Sequence, residues 1–348
     1  MIKKATVILV LGILLVFVAS AWSRTVGSRG VAAPQAAADM GGKLVYAREG
    51  SIWMLHQGKA QQLTEGPKDE NDKRDVFPSI SPDGTEIVYT RMDEGFSDLY
   101  KLSVARPSDT EALTDYRPQG VEVGQVGIPG VTDGYNTLAL WANYPAWSPD
   151  GELIAFTSDV GTEYPSLRVM GPNGEDPTKM GGGIDFSQQT VERPSWAPDG
   201  SRIAVAAYVT AGAIGQIWTL NLETGRWTEL TEAENGAYDP AWSPDGQWIA
   251  FTMREGVNHD VYVIPTDPTL WEADQPTPVK LTNTGLSRSP AWSPDGSKLA
   301  YISLQGTQFD IFAGAFEVST TGRPRLESPQ QLTESANVDA NSGLSWGP

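Results

Sequence analysis

A short phrase recurs five times in this chain: FPSISPDGTEIVYT from Phe77, YPAWSPDGELIAFTS from Tyr144, RPSWAPDGSRIAVAA from Arg193, PAWSPDGQWIAFT from Pro240 and SPAWSPDGSKLAYIS from Ser289. Each copy reads as a β-hairpin, in which a strand ends in Trp or Ile, a tight turn follows, and an apolar strand returns. In the turn Pro presets φ, Asp tolerates the next position, and Gly supplies the left-handed residue that closes a type I turn with a bulge. The apolar triplets Ile87-Val88-Tyr89, Ile154-Ala155-Phe156, Ile203-Ala204-Val205, Ile249-Ala250-Phe251 and Leu299-Ala300-Tyr301 stand at one fixed offset from the Trp position. Strands that are apolar throughout are buried on both faces. A third strand follows in SDLYKLS, PSLRVM, GQIWTLN, HDVYVIP and FDIFAGA, and a fourth ends in Leu-Thr at Leu113-Thr114, Leu230-Thr231, Leu281-Thr282 and Leu332-Thr333, with Met180 as the weak copy. Four short strands per unit of about 50 residues predict propeller blades rather than a helical solenoid.

The two ends of the chain complete a sixth blade between them. Leu344-Ser345-Trp346-Gly347-Pro348 repeats the first strand and stops inside the turn, while Gly41, Leu44-Val45-Tyr46, SIWMLH and QQLT supply the turn glycine and the other three strands. Pairing the last strand with the first three closes the ring and leaves no sheet edge exposed. The fold class expected is therefore all-β, a six-bladed β-propeller closed by a split blade. The first complete blade carries extra residues, which fall between Leu113-Thr114 and Trp147. By strand counting, that long loop shares a face with the entries of the innermost strands, and the PDG turns occupy the opposite face.

Lys3 and Lys4 precede an apolar run from Ala5 to Val18, and Ala19-Ser20-Ala21 has the small residues of a signal-peptidase site. Residues 1–22 are read as an export signal or, if uncleaved, as an N-terminal membrane anchor through residues 5–22. Residues 23–39, rich in Ala, Gly and Ser, are read as a flexible tether, and residues 40–348 as the propeller. Both readings of the leader put the propeller outside the cytoplasm. With 43 acidic against 25 basic residues the formal charge is -18. Such a surface repels phosphate backbones, so nucleic acid is not expected as a partner. The absence of cysteine excludes disulfides and a thiol nucleophile.

Candidate chemistry is sparse. Gly343-Leu344-Ser345-Trp346-Gly347 matches GxSxG, but a nucleophile elbow needs a following helix and a later histidine, so this segment is expected to be the closing strand. His56 and His259 are the only histidines, too few for an imidazole-rich metal cluster. Asp69, Glu70, Asp72 and Asp75 crowd one loop without the glycine or spacing of a calcium loop, and a solvated acidic loop is expected. The recurrent Trp residues are expected to pack between blades. No catalytic residue, metal or other cofactor is assigned.

Taken together, the P-x-W-[SA]-P-D-G turn, the I-A-F-like strand, the D-[IV]-Y-like strand and the Leu-Thr ending resemble the TolB-type propeller repeat over residues 40–348. That resemblance implies an extracytoplasmic protein working with protein partners in the cell envelope. It concerns the propeller alone, because residues 1–39 are read as signal and tether rather than as the α/β domain that TolB carries ahead of its propeller. The same repeats precede hydrolase domains in oligopeptidases, and no such domain is expected here.

The resulting expectation is an exported, monomeric, non-catalytic module that binds a protein or peptide at the cell envelope. Two competing expectations are a lyase or cyclase using the channel mouth and a ring that only braces an envelope assembly. Propeller lyases that resemble this fold use a histidine-held metal, which two histidines cannot build. Partner binding is expected where the repeat varies. The position three before each Trp, at the entry of the innermost strand, is Phe77, Tyr144, Arg193, Asp239, Ser289 and Gly343 in turn. Phe77, Tyr144, Arg193 and Asp239 are the candidate contacts there, with Arg288 one residue further out and Tyr116, Tyr135 and Trp141 on the long loop.

Overall fold

Each PDG turn closes its hairpin through the same backbone bonds, and all but the turn with Ala197 add a Ser hydroxyl bonded to the Asp. In the first, Ser81 N–H donates to Glu86 O at 2.8 Å and Gly84 N–H to Ser81 O at 2.9 Å, while Asp83 Oδ1 accepts from Ser81 Oγ at 2.6 Å and from Thr85 N–H at 3.0 Å. Gly84 has φ +70°, and its counterparts Gly151, Gly200, Gly246 and Gly296 lie between +71° and +74°. A side chain is strained in that region, so these glycines are fixed by geometry.

The computed structural model describes residues 40–69, 72–93, 95–116, 141–160, 162, 164–181, 190–208, 214–271 and 276–348. These residues form six four-stranded antiparallel sheets. The split blade orders β24 (Leu344–Gly347), β1 (Lys43–Arg48), β2 (Ser51–His56) and β3 (Lys59–Gln62) from the inside outward. The next blade comprises β4 (Arg74–Ile80), β5 (Glu86–Asp93), β6 (Phe96–Ser103) and β7 (Arg106–Ala112). It is followed by β8 (Ala142–Trp147), β9 (Ile154–Ser158), β10 (Ser166–Met170) and β11 (Thr178–Lys179). The last three blades are β12 (Thr190–Trp196) to β15 (Trp227–Glu229), β16 (Ala237–Trp242) to β19 (Val279–Lys280), and β20 (Ser287–Trp292) to β23 (Pro324–Gln331). Within these, β13 is Arg202–Tyr208, β17 is Trp248–Glu255, β18 is Asn258–Pro265 and β22 is Gln308–Val318. The expected six-bladed propeller with a split blade is the fold observed.

Closure rests on the register Leu44↔Trp346, with flanking pairs Lys43↔Gly347 and Tyr46↔Leu344. Trp346 is buried, and its Nε1–H donates to Gly41 O at 2.9 Å. The other tryptophans of the phrase are buried as well, and each packs in a cluster drawn from two adjacent blades. Trp196 and Trp292 also reach the preceding blade directly, donating to Ala146 O and Ala241 O at 3.1 and 3.0 Å. The apolar triplets of the second strands lie between them, with Ile87, Val88 and Tyr89 fully buried.

The Leu-Thr signature does more than end a strand. In the five blades that carry both it and an assigned fourth strand, that strand stops one residue before the Leu. The Leu N–H still donates inward to the third strand, as Leu332 does to Ile311 O at 2.7 Å. The Thr hydroxyl then accepts the third strand's next free N–H, from Ile52, Leu99, Ile217, Val261 or Ile311, each at 2.9 Å. The same hydroxyl donates to a third-strand carboxylate in Asp98, Asp260 and Asp310, at 2.6 to 2.8 Å, or to the amide oxygen of Gln216. This explains the D-[IV]-Y part of the repeat, since its Asp is the acceptor that fixes the Thr.

Residues 1–39, with the expected signal or anchor and the tether, lie outside the described residues. Among the described residues no helix is long and apolar enough to cross a membrane.

Candidate functional site

The inner strands do not run straight to the channel. In β4 the register passes from Val76↔Thr90 to Ser79↔Val88, so Phe77 and Pro78 together oppose the single residue Tyr89. The same two-against-one bulge occurs at Tyr144-Pro145, Arg193-Pro194, Asp239-Pro240 and Ser289-Pro290. The residue before each Pro has φ between +53° and +56°, and Gly343 has +81° at the matching place. Bulges re-aim side chains and are where a strand tolerates Pro, which has no N–H to give the ladder. Their effect is to turn two consecutive residues of each strand toward one cavity, which regular alternation forbids. The position lies inside the strand rather than at its entry, which corrects the placement expected from sequence.

Phe77, Tyr144, Arg193, Asp239, Ser289 and Gly343 all line one open cavity of about 100 Å³ on the channel axis. At the other end of the axis, the repeated Pro-x-Trp-Ser-Pro segments line a wider cavity of about 490 Å³. The first end is therefore varied and the second uniform.

Arg193 organises the varied end. Its Nε lies 2.7 Å from Asp239 Oδ1, and its Nη2 donates to Asn341 O. Its guanidinium stands 5.0 Å over the Tyr144 ring and 5.4 Å over the Phe77 ring, and those two rings are 4.3 Å apart at 49°. Cation–π contact of this kind fixes a guanidinium in a flat orientation. Asp239 is held from its other oxygen by Thr252 Oγ1 at 2.9 Å and Ser289 Oγ at 3.2 Å. Burial pushes the Tyr144 hydroxyl up to about 12, with the Glu192 charge acting in the same direction, so Tyr144 stays neutral.

A second cavity of about 160 Å³ adjoins the first, sharing Arg193 and Asp239 as its wall and adding Glu192, Tyr208, Tyr238, His259, Arg288 and Asn341. Burial pushes the Glu192 carboxyl above its ordinary range, against the pull of Arg193 and a bond from Tyr208 Oη at 3.3 Å. Burial also pushes the His259 ring down, reinforced by Arg288 and Arg254. Arg288 thus belongs to this neighbouring cavity rather than to the central one. Glu192, Tyr208, Tyr238 and His259 were missed by sequence reasoning. Glu192 and Tyr238 precede the bulge residue by one, a position that a single strand pattern assigns to the far face.

Tyr116 and Trp141 flank residues 117–140, and neither lines the two cavities. Tyr116 packs beside Leu113 and Trp147, with its N–H on Asp98 Oδ1 at 2.9 Å, and Trp141 N–H donates to Asp159 Oδ1 at 2.7 Å. Tyr135 lies outside the described residues. Of the acidic loop, Asp75 is committed elsewhere, gripped by Arg91 through Nε and Nη2 at 2.7 and 2.9 Å. No group of three or more His, Cys, Asp or Glu among the described residues could hold a metal ion.

The TolB beta propeller domain matches residues 167–341, just over half of the sequence. The chain belongs to that family. In sequence it is similar to the uncharacterized peptidase YuxL of Bacillus subtilis, at 28% identity over 54% of this chain and 31% of that protein. It is also similar to the Tol-Pal system protein TolB of Gluconobacter oxydans, at 36% identity over 29% of this chain and 22% of that protein. In structure it is similar to TolB of Acinetobacter baumannii, with a TM-score of 0.62 and 19% identity over 89% of this chain and 67% of that one. The TolB propeller described here thus spans between about a fifth and about a third of the length of these two curated relatives. The expectation that the chain is not an enzyme is overturned by the first of these matches. A relative sharing the repeat is named a peptidase, so the repeat does not exclude catalysis.

Proposed function

We propose that this TolB-family propeller is an extracytoplasmic binding module that receives a protein segment or peptide at the varied end of its channel. The carrying observation is the cluster in which Arg193, paired to Asp239, lies over Phe77 and Tyr144 at the lip of an open cavity. Aromatic and arginine groups held rigidly at the centre of a surface are the composition that interface centres favour. Their rigidity matters as much as their type, since each stands on a bulge of an inner strand and loses little freedom on binding. An extracytoplasmic site of action is supported by the export-like segment 1–22 and by the resemblance to TolB. The peptidase relative favours a second reading, in which the same mouth receives a peptide as substrate.

A photo-crosslinking residue placed at Phe77 or Tyr144, compared with one at Glu152 or Gln247 on the PDG face, tests the reading in the native envelope. Adducts with another protein or peptide are expected from the first two positions only. Adducts from the PDG face alone would move the binding surface to the other end of the propeller.

A further inference from the structure

The side cavity behind the mouth contains charges of both signs, but they are not equally satisfied. Asp239 is paired with Arg193 and bonded by Thr252 and Ser289. Glu192, whose carboxyl burial favours the protonated form, is bonded by Tyr208. His259 is kept neutral by burial, and its Nδ1 meets no partner. Arg288 is the exception. Its Nη1 donates to Asn341 Oδ1 at 2.9 Å and its plane stands 5.7 Å over the Phe309 ring, so the group is oriented. Yet no carboxylate among the described residues lies within ion-pairing distance of it, and its buried Nε has no acceptor.

An oriented guanidinium with no carboxylate in direct contact, beside a cavity of about 160 Å³, is a poor arrangement for stability alone. Desolvation pushes Arg288 below its ordinary range, with Asp239 pulling against it and Arg193 adding to it, so the cation is held at a cost. A planar anion arriving in the cavity would restore the missing partner, and guanidinium to carboxylate is among the strongest hydrogen-bonded pairings available to side chains. The cavity shares the Arg193 and Asp239 wall with the mouth, so a chain lying across the mouth reaches it without further opening.

We propose that this side cavity is a carboxylate subsite, in which an acidic side chain or the C-terminal carboxylate of a peptide held at the mouth docks on Arg288. The inference rests on the peptide-binding reading above and adds a charge requirement to it. It predicts selectivity for carboxylate-bearing peptides despite the strongly acidic surface, whose long-range repulsion is screened within about a Debye length at physiological salt.

The test uses the immobilised full chain and three pools of randomised, N-acetylated hexapeptides. One pool ends in a free carboxylate and lacks Asp and Glu, one is amidated and contains Asp and Glu, and one is amidated and lacks both. Retention of either carboxylate-bearing pool at least about fivefold above the neutral pool is expected, and Arg288→Gln should remove that preference while leaving neutral-pool retention unchanged. Preference for the first pool alone assigns the site to a chain terminus, and for the second alone to an acidic side chain. Equal retention of all three by the wild type overturns the carboxylate subsite and leaves the peptide-binding mouth standing. Retention of none overturns both. If Arg288→Gln lowers the melting temperature, Arg288→Lys, which keeps the charge and loses the planar fork, should reduce the preference without abolishing it. An undiminished preference in both variants contradicts the proposal.

Discussion

Arg193 Nε and Asp239 Oδ1 stand 2.7 Å apart on the inner strands of two neighbouring blades, each residue on the bulge of its own strand. The pair separates the mouth cavity from the side cavity and orients a cation that faces both Phe77 and Tyr144. Asp239→Asn weakens the ion pair and disturbs the bonds from Thr252 and Ser289. Urea unfolding of this variant is expected to show a loss of about 1–3 kcal/mol, between the effects of exposed and fully buried pairs. A loss below measurement error would mean that the pair does not hold the mouth.

The Leu-Thr lock carries a separate prediction. Thr333 accepts from Ile311 N–H and donates to Asp310 Oδ1, and it is buried. Thr333→Val keeps the shape, removes both bonds and leaves a buried N–H without its acceptor. The expected destabilisation is about 1–3 kcal/mol by chemical denaturation. Ser335→Ala, in which the backbone bond to Asp310 is retained, should be near neutral.

Glu192 gives the pH dependence. Burial raises its carboxyl in the folded state above the unfolded value of 4.5, so the folded protein binds more protons in that window. Its contribution to stability is therefore fully present below the unfolded value and is lost as pH rises through the folded one. Glu192→Gln removes the charge, so this variant is expected to be more stable than wild type at neutral pH. The advantage should shrink as the pH is lowered toward about 4, where both states of the wild-type carboxyl become protonated. Melting temperatures across that range check the sign, and a variant that is less stable at neutral pH would contradict it.

Closure of the ring can be tested at its last strand. Ending the chain at Gly343 removes Trp346 and the whole of β24, exposing the edge of β1 and the core shared with β20 and breaking the bond from Ile80 N–H of β4 to Ser345 Oγ. Loss of one buried Trp alone costs about 3–5 kcal/mol, a large part of a typical domain's stability. Aggregation or a much lower melting temperature is expected, and an unchanged melting curve would be incompatible with the split blade.

The fold was legible because its determinants are local and repeated. A turn such as Ser81 to Gly84 needs the same residues wherever it occurs, and Ile87, Val88 and Tyr89 announce a buried strand by composition alone. The site was legible only in outline. Phe77, Tyr144, Arg193 and Asp239 could be found because they vary at a fixed place in an otherwise constant phrase, and they do share a cavity. Glu192, Tyr238 and His259 could not, since their convergence depends on the bulges and on distances between blades that no single strand encodes. Arg288 was found for its charge, one residue further out, while its place in the side cavity depends on the same convergence. The role of the Leu-Thr ending was also hidden, because Thr333 and Asp310 lie far apart in sequence and meet only after the third and fourth strands pair.

The central claim is that partners bind at the varied mouth. Its most direct measurement is the Kd of the partner recovered by crosslinking, for wild type and for two double variants of matched stability. Phe77→Ala with Tyr144→Ala leaves the Arg193 and Asp239 pair in place and should weaken binding at least about tenfold, or roughly 1.4 kcal/mol. Glu152→Ala with Gln247→Ala, both exposed on the PDG face, should leave the Kd unchanged. An unchanged Kd for the mouth variant together with lost binding for the PDG-face variant would contradict the account.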